Sequence, residues 1–167
     1  MKIPAFLHEK LTMRTAMSLA DVRVALDDAV DTQPFSFVPA PTNKPFRGVI
    51  KDDTFQIYRR IGYRNSWRPT IKGHVTTATD GSEINLDIGV HWFVLGFTLF
   101  WLGSLGLMLV GMLSRVASGQ VTENATSSLA LMVLMFCFGL ALSWGAYSFE
   151  ANKAKVVLRA IFRVRAE

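Results

Sequence analysis

The side chains able to do acid–base, nucleophilic or metal chemistry are few and scattered. The three histidines are His8, His74 and His91. No His-x-x-x-His, Cys-x-x-Cys, Gly-x-Ser-x-Gly or phosphate-loop spacing accompanies them. The pattern therefore offers neither two imidazoles on one helical face to hold zinc nor a nucleophile on a strand-to-helix turn. Asp27, Asp28 and Asp31 crowd the end of a short helical pattern, but a hard cation needs more oxygen ligands than three such carboxylates supply. Asp52-Asp53 reads as a turn, where Asp bonds its own backbone without any further role. The single Cys137 lies inside an apolar run and has no partner for an internal disulfide. The chain reads as non-enzymatic, with no catalytic residue, metal ligand or cofactor expected.

Charge offers more than catalysis does. The most distinctive stretch is Tyr63-Arg64-Asn65-Ser66-Trp67-Arg68-Pro69-Thr70-Ile71-Lys72-Gly73. If one strand phase holds from Gln56 to Lys72, then Arg60, Arg64, Arg68 and Lys72 share a face. Such a face beside a membrane suits anionic headgroups, at about 1 kcal/mol per basic residue; otherwise it is a solvated strand face. Gly62 and Pro69 are the positions where the phase would break. No nucleic-acid motif accompanies the charges, so that partner is not expected.

The elements that position these residues follow from periodicity. The segment 1–17 carries Lys2, His8, Glu9, Lys10 and Arg14, which interrupt any apolar signal-peptide core. Residues 18–30 form an amphipathic helix: Ser18 and Asp21 make a capping box, and Leu19, Val22, Leu26, Ala29 and Val30 recur on one face. Residues 31–45 hold Pro34, Pro39, Pro41 and Pro45 and read as a linker. Residues 46–88 read as an antiparallel meander of about four strands. Phe46 to Ile50 is the first strand. Phe55, Ile57, Ile61 and Tyr63 alternate along the second, and Trp67, Ile71 and Val75 along the third. Thr79-Asp80-Gly81-Ser82 is a hairpin turn, since Asp-Gly readily adopts positive φ. In the fourth strand Ile84, Leu86, Ile88 and Val90 oppose Glu83, Asn85 and Asp87.

Only 19% of the 167 residues are charged, and the mean hydropathy is +0.28. Residues 88–114 and 124–149 contain no Asp, Glu, Lys or Arg, giving charge-free runs of 27 and 26 residues. About 20 apolar residues cross a ~30 Å hydrocarbon core as a helix. Residues 89–147 therefore read as a transmembrane helical hairpin, with the spans near 89–114 and 129–147. Residues 148–167 read as a separate basic amphipathic helix carrying Lys153, Lys155, Arg159, Arg163 and Arg165. Against a connecting loop with only Arg115 and Glu123, this tail places both termini in the cytoplasm. Trp92 and Phe93 open the first span, and Trp144 and Tyr147 close the second, as an aromatic belt at one interface requires. Asn124-Ala125-Thr126 in the opposite loop matches a glycosylation tripeptide. The spans contain small residues at close-packing positions: Gly96 and Gly103 in the first, and Gly139, Ser143, Ala141 and Gly145 in the second. These serve packing within the hairpin or association of copies. No ionisable group lies near the midplane, which argues against coupled transport.

The pattern Phe46-x-Gly48 … Phe55-x-Ile57 … Tyr63-Arg64-Asn65-Ser66-x-x-Pro69-x-Ile71-x-Gly73, followed by an apolar hairpin and a basic tail, resembles small two-span bacterial membrane proteins of unassigned function. The resemblance covers residues 15 to 160 and implies a bacterial cytoplasmic (inner) membrane protein, without an activity. The expected fold is α+β: an antiparallel sheet flanked by N- and C-terminal amphipathic helices and tied to a membrane hairpin. The expected role is a membrane-anchored binding or accessory protein acting through a cytoplasmic sheet domain, with the bilayer and an unidentified protein as partners. A homo-oligomeric assembly or small pore is the first alternative, and an enzyme on lipid or nucleotide substrates the second.

Overall fold

The computed structural model describes residues 6–32, 43–120 and 125–164. In chain order the elements are β1 (His8–Thr15), α1 (Leu19–Ala29), β2 (Val30–Asp31), β3 (Phe46–Lys51), β4 (Thr54–Arg59), β5 (Thr70–Ala78), β6 (Gly81–Gly89), α2 (Trp92–Ala117) and α3 (Ala125–Ile161). The strands form one sheet in the order β1-β6-β5-β4-β3-β2. All neighbours are antiparallel except β2 and β3, which pair in parallel over two residues. The class is α+β.

Side chains alternate across a strand, so one sheet face is apolar and the other polar. Phe55 and Ile57, Ile71 and Val75, and Ile84, Leu86 and Ile88 are buried on the inner face. Lys10, Thr12, Lys72, His74 and Asn85 lie on the opposite, open face. At the tip of the β5–β6 hairpin Gly81 has φ +132°, a conformation disfavoured for residues with a Cβ. A Cβ there would also stand 2.1 Å from the Thr15 carbonyl oxygen, so this turn is fitted against the end of β1.

Two helices cover the inner face. α1 begins with the expected capping box: Ser18 Oγ accepts from Asp21 N–H at 3.2 Å, and Asp21 Oδ2 accepts from Ser18 N–H at 3.3 Å. It buries Val22, Leu26 and Ala29. The second cover is the C-terminal part of α3, which buries Tyr147, Ala151, Ala154 and Leu158, with Phe162 just beyond. Their spacing of three and four residues keeps one stripe facing the sheet. The first part of α3 pairs with α2 as an apolar hairpin, and both helices are long and apolar enough to cross a membrane.

Several expectations are corrected. The sheet has six strands rather than about four. The segment 1–17 contributes β1, which pairs along its whole length with β6. The second strand ends at Arg59 rather than Tyr63, and the third starts at Thr70 rather than Trp67. The tail from residue 148 is no separate helix: α3 runs unbroken for 37 residues, about 55 Å at 1.5 Å per residue. No Pro or Gly between Ala146 and Ile161 interrupts it. Residues 33–42 of the Pro-rich linker and Asn124 of the glycosylation tripeptide lie outside the described residues.

Candidate functional site

β4 points Phe55, Ile57 and then Arg59 to the inner face. Past Arg59 the chain leaves the sheet and runs as a loop to Pro69, which has no N–H for a ladder bond. This loop docks on the near end of the helical hairpin through three successive side-chain bonds. The Tyr63 hydroxyl donates to Glu150 Oε1. Asn65 Nδ2 donates to the Ala146 carbonyl at 3.2 Å, while Asn65 Oδ1 accepts from Trp67 N–H at 3.0 Å and shapes the turn. Trp67 Nε1 donates to Thr98 Oγ1 on α2 at 3.2 Å. One loop thus holds both hairpin helices against the sheet.

At the centre is a buried carboxylate. Glu150 has no exposed surface and sits immediately after the charge-free run 124–149. Arg59 Nε donates to Glu150 Oε2 at 2.8 Å, and Tyr63 holds the other oxygen. Burial pushes the Glu150 carboxyl up, but the bonds from Tyr63 and Arg59 and the Arg59 and Lys153 charges outweigh it. The group is held below the usual carboxylate range. The same hydrogen bond to Glu150 pushes the Tyr63 phenol up. Further ties run the length of the junction: the Tyr147 hydroxyl donates to the Ile88 carbonyl at 3.0 Å, and Lys155 Nζ pairs with Glu9 at 2.9 Å.

The four basic residues expected on one face are not together. The shared phase needed a strand through residues 60–69, and the chain is a loop there. Arg60 lies at the β2 end, 3.6 Å from Asp31. Lys72 is exposed on the open face of β5. Arg64 and Arg68 lie four residues apart in the docked loop. Arg64 is exposed and makes no side-chain hydrogen bond or ion pair among the described residues. The Arg68 guanidinium stacks over the Tyr58 ring at 4.3 Å. Two acids on the sheet are taken by other cations: Asp53 by Arg23 at 2.7 Å and Glu83 by Arg14 at 3.1 Å.

The small residues of the hairpin divide as well. A Cβ on Gly139 would stand 2.2 Å from the Trp101 ring, so this glycine marks the close approach of the helices. Ser143 is buried one turn on, its hydroxyl donating to the Gly139 carbonyl at 2.8 Å. Gly96, Gly103 and Gly145 have nothing within 4 Å of a Cβ, and Ala141 is exposed, so these four are turned away from the hairpin seam.

The histidines are dispersed. His8 Nε2 lies 2.7 Å from Asp87 Oδ1, His74 is exposed on the open face, and His91 Nδ1 caps α2 by accepting from Phe93 N–H at 3.3 Å. Among the described residues no three His, Cys, Asp or Glu side chains are grouped to hold a metal ion. The open face carries shallow depressions, lined by residues such as Gln56, Lys72, His74, Asn85 and Asp87.

The interacting residues overlooked in the sequence are Arg59, Glu150 and Thr98. Two had a signal: Glu150 is the carboxylate bounding a 26-residue charge-free run, and Arg59 continues the inward phase of Phe55 and Ile57. No family model matches the chain, and neither a curated protein nor a solved structure is significantly similar to it.

Proposed function

We propose that the chain is an integral membrane protein in which α2 and the first part of α3 anchor the sheet domain to the bilayer, and that the domain is a binding or accessory module. One observation carries this reading. In the most apolar 18-residue window of each long helix only 11% is buried, whereas the core helix of a soluble domain would be mostly covered. Exposed Phe97, Phe100, Leu107, Val110, Leu134 and Phe138 leave the hairpin with an apolar outer surface, far beyond the patches soluble monomers tolerate. The sheet core, in contrast, is closed by α1 and the end of α3. The domain lies on the cytoplasmic side of a bacterial inner membrane in this reading. Lys153, Lys155, Arg159 and Arg163 follow the second span, whereas Arg115 is the basic residue between the spans.

Topology reporters fused at Gly119 and after Glu167 test the reading in whole cells. The expected result is a cytoplasmic signal at Glu167 and an external one at Gly119. Two cytoplasmic signals, with release of the chain from membranes by alkaline carbonate, would overturn the anchor. An external signal at Glu167 would reverse the orientation.

A second reading is association of copies within the membrane. It is favoured by the outward position of Gly96 and Gly103 on α2 and of Ala141 and Gly145 on α3, since small residues let helix backbones approach closely.

A further inference from the structure

We propose that Arg64 and Arg68 form a binding site for the phosphate of an anionic glycerophospholipid at the bilayer face of the sheet domain. This rests on the reading of the hairpin as a membrane anchor and adds a depth and a ligand to it.

The depth follows from counting. A 30 Å hydrocarbon core takes about 20 helical residues. Counted back from Ser114, the last residue before Arg115, it begins near Leu95. Trp101 lies over Gly139, so Leu95, six residues before Trp101, is level with Gly145, six residues after Gly139 in the antiparallel partner. The hydrocarbon boundary therefore passes Leu95 and Gly145. The docked loop is fastened at that level: Asn65 bonds the Ala146 carbonyl, one residue outside it, and Trp67 bonds Thr98, three residues inside it. An indole with its N–H bonded suits the interface.

Arg64 and Arg68 directly flank Asn65 and Trp67 in the chain. Consecutive Cα atoms are 3.8 Å apart, and the headgroup layer is about 5–8 Å thick on each side. Both arginine backbones are thus held in or beside the headgroup layer. Their side chains suit phosphate. Arg64 is exposed and without a bonded partner among the described residues. Arg68 is held by its flat face on Tyr58, which leaves the N–H edge of the guanidinium for oxygen acceptors. The basic residues further along α3 do not belong to the site: at 1.5 Å per residue Arg159 is about 20 Å beyond Gly145, more than two Debye lengths at physiological salt.

The test uses the full chain in a neutral maltoside detergent, with native mass spectrometry reading bound lipid during titration. The probes are phosphatidylglycerol, phosphatidylcholine and inorganic phosphate. Phosphatidylglycerol should bind in preference to phosphatidylcholine, and more weakly as salt rises. Arg64→Gln and Arg68→Gln should each weaken it about fivefold, the factor that ~1 kcal/mol per basic residue at a charged bilayer surface corresponds to. Arg159→Gln should leave it unchanged. Arg64→Gln removes no described contact, so its loss of lipid cannot be ascribed to misfolding. Equal binding of the two lipids, or equal binding by Arg64→Gln and Arg159→Gln, would overturn the site. Inorganic phosphate displacing the lipid at equal concentration would assign the arginines to a free anion instead and overturn the lipid assignment. Failure of the anchor is read separately, by the reporter fusions and carbonate extraction.

Discussion

Replacing Arg59 by Ala should destabilise the chain far more than an ordinary surface ion-pair deletion. Glu150 is fully buried, and Arg59 is only 21% exposed at its side chain. Deleting an exposed partner costs about 0–1 kcal/mol; deleting one partner of a buried pair costs about 3–5 kcal/mol, because the remaining charge stays desolvated. Tyr63 still donates one hydrogen bond to Glu150 but supplies no charge. For a chain of 167 residues a loss of that size lowers the melting temperature by about 6–20 °C. The pH dependence is equally specific. In the wild type Glu150 titrates below the usual range. Its stabilising contribution is present above the unfolded carboxylate value of about 4.3 and is lost as pH falls through the lower folded value. In Arg59→Ala both Arg59 influences that lower the carboxyl are gone while burial still raises it. Glu150 then takes up its proton at a higher pH than in the wild type, even with the Tyr63 bond and the Lys153 charge in place, and a protonated Glu150 needs no cation. The deficit relative to wild type should therefore be largest near neutrality and shrink as pH falls toward the unfolded value. Thermal melting of the full chain in mild detergent across that range measures both effects. A loss under about 1 kcal/mol at neutral pH, an amount expected of an exposed pair, or a deficit that does not change with pH, would refute a desolvated carboxylate at the junction.

Gly139→Ala should cost about 1–3 kcal/mol through overpacking against Trp101, whereas Gly145→Ala, with open space around its Cα, should be neutral or slightly stabilising; melting of the two variants in detergent separates them, and equal behaviour would refute the seam. Trp67→Phe keeps an aromatic ring but loses the bond to Thr98, so it should cost about 0.5–1.5 kcal/mol and increase hydrogen exchange in the loop 60–69 without changing exchange in the β1–β6 pair; equal protection of that loop in both proteins would contradict its docking.

Much of the architecture was legible because its causes are local. The capping box at Ser18 and Asp21, the turn at Asp80-Gly81 and the alternation of Ile84, Leu86 and Ile88 each carry their signal within a few residues. β1 was harder to read. Its inward positions include Glu9, which looks out of place until Lys155, 146 residues away, is seen beside it. β2 is two residues long and exists only through its parallel partner. A change in polarity divides the tail of α3 from the second span in the sequence, yet helices end through caps and breakers, not through polarity. A single strand phase gathers the basic residues on one face, but the chain leaves the sheet between Arg59 and Thr70. What brings Arg64 and Arg68 to the hairpin is a set of contacts to Ala146, Glu150 and Thr98, and no spacing rule contains such long-range partners.

The placement of the hairpin within the domain has a consequence for biogenesis. All six strands are complete by Gly89, but the helix face that closes them reaches Ala151 only 62 residues later. At about 5–20 residues per second the ribosome makes that stretch in roughly 3–12 s. Throughout this interval the nascent sheet displays Ile57, Ile71 and Ile88 with α1 as their only cover among the described helices. The domain thus matures after both long helices have been made, and a chain stalled between them presents an uncovered apolar sheet to chaperones and proteases. Because the apolar segment and the residues that close the sheet lie on one unbroken helix, a displaced hairpin also displaces the lid of the core.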